Sequence, residues 1–212
     1  MDVLKEIAES LRTGDDDAVR SGVQAALGAG LEPGDVLRSG LLAGMAVVGE
    51  EFGRREVFLP DVLLAARAMH AGMEILKPHL ANDGVPPAGR VVLGTVQGDL
   101  HDIGKNLVGI LLRGAGFDVI DLGTNVPAER FLEAAERSGA GVVGLSALLT
   151  TTMPRMAEVV SLVRERGLAG RVKVIVGGAP VTRAFAVEIG ADAWGFDAES
   201  AVRRVKELEG RA

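Results

Sequence analysis

Asp99 and His101 stand one residue apart in the run Gly94-Thr95-Val96-Gln97-Gly98-Asp99-Leu100-His101-Asp102-Ile103-Gly104-Lys105-Asn106. A carboxylate beside an imidazole can accept the proton of one ring nitrogen, which fixes the tautomer and leaves the other nitrogen free to bind a metal. The same pattern also suits a plainer role, with His101 a hydrogen-bonded loop histidine and residues 99–102 a helix N-cap region. A second polar cluster, Ser146, Thr150, Thr151 and Thr152, sits in the run Gly144-Leu145-Ser146-Ala147-Leu148-Leu149-Thr150-Thr151-Thr152-Met153. Any one of these hydroxyls can cap a helix; together they can line a polar tunnel for a ligand. The pair Gly177-Gly178 lets a ligand approach the backbone closely, although a tight turn alone would also use it.

The rest of the composition narrows the chemistry. The chain has 212 residues, no cysteine and three histidines, His70, His79 and His101. Disulfides, iron–sulfur clusters and thiolate zinc sites are excluded. With so few nitrogen donors, a metal held mainly by an organic macrocycle is easier to supply than an all-protein site. The net charge of −6 offers no basic face for phosphates and argues against nucleic-acid binding. No apolar run reaches membrane-spanning length, and residues 1–11 form an acidic amphipathic stretch rather than a signal peptide. The expected compartment is the cytoplasm, with no membrane partner. Hydrophobic content of 48% and charged content of 25% fit a well-cored globular protein.

Two periodicities position these residues. From residue 2 to about 79 the pattern is helical, with Val3, Ile7 and Leu11 followed by Val19, Val23, Ala26 and Leu27. A third stripe, Leu37, Leu41, Met45, Val48 and Phe52, follows Pro33-Gly34-Asp35, and Pro60 opens a fourth lined by Leu63, Ala66, Met69, Met73 and Leu76. Four amphipathic helices predict a small antiparallel bundle over residues 1–80. His70 and His79, near the end of the fourth helix, suit surface or C-terminal positions. The Pro/Gly-rich stretch 77–90 reads as a linker and plausible hinge, its core being residues 81–90.

Over residues 91–212 short apolar runs at 91–96, 117–122, 142–146 and 172–176, with a weaker one at 193–196, alternate with helical stretches. That alternation predicts an α/β fold, a doubly wound five-stranded parallel sheet of flavodoxin-like type. In the common strand order the ligand crevice lies between the first and third strands, so the loops after Val96 and Leu145 flank it. No internal repeat or low-complexity tract is evident.

The three loop motifs together carry a specific resemblance. Asp99-x-His101-x-x-Gly104, then Ser146-x-Leu148, then Gly177-Gly178, separated by 41 and 28 residues, resemble the cobalamin-binding signature of methionine synthase, corrinoid methyl carriers and some mutases. Gly44-Met45, Val48-Gly49-Glu50 and Phe52, followed by Phe58-Leu59-Pro60, resemble the helical cap that precedes the cobalamin domain in methionine synthase and in corrinoid proteins of methanol and methylamine metabolism. The resemblance covers almost the whole chain.

It implies cobalamin bound with its benzimidazole base detached and His101 as the axial ligand of cobalt. Asp99 would hold the second ring nitrogen, and Thr152 would complete the relay. Gly98, Asp102 and Gly104 belong to the same loop. Ser146, Thr150, Gly177, Gly178 and Ala198 would line the nucleotide tail, while Phe52 and Leu59 align with apolar residues that cover the methyl-bearing face. A proton on the His101–Asp99 pair could then follow the cobalt state, being wanted for methyl-Co(III) and released on reduction. Arg38 departs from the methionine synthase pattern, which has a glutamate there, so no role is transferred to it.

The function implied is a methyl carrier serving two partners, a substrate-specific methyltransferase that loads cobalt and an acceptor methyltransferase that unloads it, with a reductive activator as a further partner. Such a chain takes part in catalysis without containing a complete active site. Two alternatives share the cobalamin domain. A light or ligand sensor would be expected to carry a DNA-binding segment and a Glu-His dipeptide on the bundle, both absent here. An adenosylcobalamin mutase subunit would generally lack the helical cap.

Overall fold

The computed structural model describes residues 2–83 and 86–210. Its contacts divide the chain into two compact units. One holds the described residues up to Pro86 together with Gly114–Gly116; the other holds Pro87–Arg113 and the described residues from Phe117 on.

The first unit is helical. In α1 (Val3–Arg12), Asp2 caps the helix by accepting from the Leu4 N–H, and Ile7 and Leu11 are buried. α2 (Asp16–Gly28) is capped by Asp15, which accepts from the Ala18 N–H, and it buries Val19, Val23 and Ala26. Each cap satisfies one of the amides that a helix start leaves unpaired. The next helix begins as α3 (Pro33–Asp35), widens to a π-helix over Val36–Leu42 and resumes as α4 (Ala43–Gly53). That widening corrects the expected stripe. A π turn places the preceding buried position five residues before Leu41, so Val36 is fully buried and Leu37 only partly.

In α5 (Leu59–Asp83) the buried face is Val62, Ala65, Ala68, Met69 and Leu76, so the expected stripe is displaced by one residue at its start and Leu63 is exposed. The helix also runs through Pro78 to Asp83, into the stretch expected to be linker. A proline interior to a helix costs on the order of 3 kcal/mol. Here α5 packs along α2 with Leu76 fully buried, which holds the helix across that position. Gly84 and Val85, in the expected linker, lie outside the described residues.

The second unit alternates strand and helix. β1 (Arg90–Thr95), β2 (Asp118–Asp121), β3 (Val142–Ser146), β4 (Lys173–Gly177) and β5 (Ala193–Gly195) form one sheet in the order β2-β1-β3-β4-β5, every pairing parallel. The intervening helices are α6 (Ile103–Gly114), α7 (Ala128–Ser138), α8 (Pro154–Glu165), α9 (Arg183–Ile189) and α10 (Ala198–Leu208). One sheet face carries Val92, Val143, Leu145, Val174 and Val176 in a cluster with Phe131, Leu132, Met156 and Val160 of α7 and α8. Leu93, on the other face, lies beside Gly109 of α6. Strands buried on both faces must be apolar at every position, which explains the unbroken runs in β1 and β3. Strand order reverses between β1 and β3, and the loops leaving their carboxyl ends carry the Asp99–His101 and Ser146–Thr152 clusters.

Candidate metal-ligand and cofactor site

The loop from β1 to α6 is tied down at nearly every polar group. Thr95, fully buried, donates its hydroxyl to the His101 carbonyl at 2.8 Å. Val96 N–H donates to Ser146 O at 3.0 Å, and Asp99 N–H donates back to Val96 O at 3.1 Å. Gly98 adopts φ +84°, a conformation that an L side chain rarely takes, and this turns Asp99 inward.

Asp99 is the buried centre of the site, with no solvent exposure. Its Oδ1 accepts from the His101 backbone N–H at 3.1 Å and faces His101 Nδ1 at 2.7 Å. Its Oδ2 accepts from Leu148 N–H at 2.8 Å, Leu149 N–H at 3.2 Å and Thr152 Oγ1 at 2.8 Å. Thr152 Oγ1 also lies 2.9 Å from Leu149 O, but a hydroxyl has one proton. Leu149 O already accepts from the Thr152 and Met153 amides, so the hydroxyl proton is better placed on Asp99.

Burial by itself would raise the Asp99 pKa. The hydrogen bonds from the His101 ring, the His101 and Leu148 amides and the Thr152 hydroxyl outweigh it and hold the carboxyl well below the usual carboxylate range. An ionised Asp99 can only accept, so Nδ1 of His101 carries the proton between them. In the neutral ring Nε2 then presents a lone pair. Nε2 has no partner among the described residues, and the His101 side chain is 51% exposed. The geometry is that of an imidazole oriented from behind and open in front.

The surroundings suit an apolar macrocycle. Leu100 and Ile103, either side of His101 and Asp102, are each 72% exposed, and Leu148 and Leu149 are exposed on the loop whose amides hold Asp99. Four large aliphatic side chains turned to solvent on the two loops that share Asp99 are more than scattered surface hydrophobics. A Cβ built at Gly104, in the first turn of α6, would meet no atom within 4 Å, so the chain's own packing does not demand glycine there. Among the described residues no group of three or more His, Cys, Asp or Glu could hold a metal ion. A single free imidazole in an aliphatic setting fits a metal that arrives with its own equatorial ligands.

The other expected residues fall as follows. Ser146, the last residue of β3, is opposite Thr95 of β1 and Gly177 of β4 in the parallel register. Gly178 has φ +129°, and a side chain there would collide with the Ala147 backbone, so glycine is obligatory independently of any ligand. Thr150 is exposed on the β3–α8 loop and Ala198 is buried as the first residue of α10; neither hydrogen-bonds to the Asp99 group. Asp102 is turned to the next helical turn, where its Oδ2 accepts from Asn106 Nδ2 at 3.0 Å. Phe52 near the end of α4 and Leu59 at the start of α5 are both half-buried in the helical unit. His70 is exposed beside Glu74 at 3.5 Å, and His79 is exposed.

Several residues emerge only from the structure. Lys105 is 2% exposed at its side chain, with Nζ 2.7 and 2.6 Å from the two Asp121 oxygens and 2.6 Å from Asn106 Oδ1. Asp121 also accepts from Gly123 N–H at 2.9 Å, which anchors the loop after β2. Asn125 in that loop faces Gly98 and Asp99. The Leu148 and Leu149 contribution is made by backbone amides and leaves no mark in residue identity. Lys105 directly follows the Asp99-x-His101-x-x-Gly104 motif, but only its burial and its pairing with Asp121 set it apart from a solvated lysine.

Residues 89–206 match the family profile of a B12 binding domain, and residues 3–77 match a second B12 binding domain profile. The chain is 42% identical over 214 residues to a corrinoid protein of Desulfitobacterium hafniense (strain Y51), spanning 100% of this chain and 99% of that protein. It is 45% identical over 208 residues to dimethylamine corrinoid protein 1 of Methanosarcina acetivorans, spanning 98% and 97%. The crystal structure of a methanol:cobalamin methyltransferase complex from Methanosarcina barkeri contains a chain that superposes with a TM-score of 0.89 at 34% identity, covering 99% of this chain and 80% of that one.

Proposed function

The chain belongs to the B12-binding corrinoid proteins of methyltransferase systems, and from that premise we propose that it carries a methyl group on cobalt from a substrate-specific methyltransferase to a second methyltransferase acting on a cofactor acceptor. The observation that carries the reading is His101, whose Nδ1 lies 2.7 Å from buried Asp99 while Nε2 is left open. The corrinoid supplies a cobalt centre able to accept and release a methyl group, which no side chain of this composition can provide.

The chain's own residues hold and orient. His101 Nε2 would ligate the cobalt of a cobalamin whose own base is detached, with Asp99 and Thr152 fixing the ring's tautomer. Gly98 gives the loop its turn, Gly104 leaves room at the start of α6, and Asp102 of the same loop is a further proposed cofactor contact. Ser146, Thr150, Gly177, Gly178 and Ala198 are the proposed lining for the nucleotide tail. Phe52 and Leu59 are the proposed apolar cover that keeps water from the reactive face. In this reading residues 1–80 form the cap, 81–90 the linker and 91–212 the corrinoid-binding domain.

The methylamine and methanol systems of the related proteins support a one-carbon substrate of that class. The partners are then a methyltransferase specific for that substrate, an acceptor methyltransferase and a reductive activator, and the setting is the cytoplasm. Among the described residues no helix is long and apolar enough to cross a membrane.

A visible spectrum of the protein loaded with hydroxocobalamin, set beside His101→Ala, tests the assignment. The expected result is a histidine-ligated spectrum in the wild type and a base-off spectrum without imidazole in the variant. Identical spectra would remove His101 from the metal. Failure of the wild type to retain any corrinoid would remove the carrier function itself.

A further inference from the structure

We propose that Asn125 is a positioning residue for the Asp99–His101 pair, acting as a two-point clamp on the peptides that precede His101. The proposal rests on the axial role of His101 given above. Asn125 Oδ1 accepts from the Gly98 N–H at 2.8 Å, and the Asn125 N–H donates to the Asp99 carbonyl at 2.9 Å. One residue of the β2–α7 loop therefore grips two consecutive residues of the β1–α6 loop from one side.

The residue type suits the task. Asn125 has φ +55°, and it is one of two non-glycine residues with positive φ among those described, the other being Arg55. Asparagine tolerates the left-handed region better than most side chains, and here it uses that conformation to bring its amide oxygen back to Gly98. The adjoining contacts are of strand type: Val126 N–H donates to Thr95 O at 3.0 Å, Thr95 N–H donates to Gly123 O at 2.9 Å, and Val96 bridges Val126. The clamp thus hangs from the edge of the sheet and not from a loose loop.

Its consequence follows from what it holds. Gly98 sits at φ +84°, a turn that other loop geometries could relax, and Asp99 owes its inward direction to that turn. With the Gly98 amide released, the Asp99 backbone gains freedom and the 2.7 Å contact to His101 Nδ1 loses definition. An unconstrained neutral imidazole favours the Nε2–H tautomer, in which the ligating lone pair is lost. Asn125 hydrogen-bonds to Gly98 and Asp99 and not to His101, so its effect on His101 would travel through those two residues.

The test uses the full chain without cofactor, ring-15N-histidine labelled, and reads the His101 tautomer by NMR. Wild type is expected to hold the Nδ1–H form. Asn125→Gly keeps the backbone conformation but deletes the acceptor, and the Nδ1–H to Nε2–H ratio is expected to fall about fivefold, the size of one net hydrogen bond. Asn125→Asp restores an acceptor oxygen and is expected to recover the wild-type ratio. In the cobalamin-loaded protein reduced to Co(II), the nitrogen hyperfine splitting from His101 should weaken in the glycine variant and return in the aspartate variant.

A wild-type ratio in Asn125→Gly, or an equal loss in the glycine and aspartate variants, overturns the proposal. Should Asn125→Gly not fold, amide exchange in the wild type decides: Gly98 N–H, on an exposed loop residue, must be protected, and free exchange there overturns the clamp. A wild type that shows the Nδ1–H tautomer yet binds no corrinoid would refute the carrier function and leave the clamp standing.

Discussion

Replacing Asp99 by asparagine separates the two things the carboxylate does. The native group takes two donors from His101 on Oδ1 and three from Leu148, Leu149 and Thr152 on Oδ2. An amide has one acceptor oxygen. Turned toward the three donors, it keeps those bonds and presents an NH2 to His101, opposing the His101 backbone N–H and forcing Nδ1 to accept. Turned the other way, the NH2 meets two backbone N–H groups and a hydroxyl, which leaves more polar groups unpaired in a buried place. The first orientation is the better, and it drives His101 to the Nε2–H tautomer.

Hydrogen bonds to a charged group contribute about 1.5–3 kcal/mol each, so losing the bond from the His101 backbone N–H and exchanging the charged ring contact for a neutral one, while sparing the cost of a buried charge, should destabilise the apo protein by about 2 kcal/mol at pH 7. The pH dependence has a definite sign. Asp99 is held below its unfolded value of about 3.9, so its contribution is complete above that pH and is lost as pH falls toward the folded value. Urea unfolding of both proteins should give a gap that is flat from pH 7 to about 5 and narrows below about 4. The cobalamin-loaded variant should give the same spectrum as His101→Ala. A gap under about 1 kcal/mol, a gap that stays constant into acid, or a retained histidine-ligated spectrum would each refute the reasoning.

Two glycines of the site answer differently to alanine. At Gly104 the added methyl meets nothing within 4 Å and sits in helix α6, so apo stability should rise by about 0.5–1 kcal/mol while cobalamin affinity falls; unchanged affinity would show that no cofactor lies over that turn. At Gly178 the methyl collides with the Ala147 backbone at φ +129°, so Gly178→Ala should cost at least about 3 kcal/mol in thermal or urea unfolding even without cofactor, and a near-native melting temperature would contradict the packing at the end of β4.

The strands of the second unit were legible because β1, β3 and β4 are buried on both faces, and their apolar runs end where burial ends. The relay was legible only through the family resemblance: a carboxylate two residues from a histidine, after a strand and before a helix, equally suits a helix N-cap region, and Thr152, 53 residues from Asp99, was added by the resemblance alone. Asp99, His101 and Thr152 do converge. The faces of α4 and α5 were harder. A π turn changes the repeat from about 3.6 to about 4.4 residues locally, and periodicity read with one period then mistakes Leu37 for the core position held by Val36. In α5 every position from Val62 to Ala66 is apolar, so pattern alone could not choose between Leu63 and Val62. The supports of the site were least visible, because Leu148 and Leu149 act through amides and Asn125 through a backbone conformation.

That asymmetry has a chemical logic. The group that holds His101 Nδ1 is polar, buried and saturated: a carboxylate with five donors, one of them a buried threonine hydroxyl. On the same loop and on the loop after β3 are exposed aliphatic side chains, and Gly104 has empty space over it. A histidine meant to stabilise the fold would be buried and bonded at both nitrogens, and a histidine in an all-protein metal centre would have neighbouring donors. His101 has neither. The protein fixes one lone pair in direction and tautomer, and on the proposed reading the remaining ligands of a bound metal would come from the macrocycle that carries it. The cost of holding an ionised carboxylate away from water is then offset by its five donors, and the orientation of the one open imidazole nitrogen is what that arrangement secures.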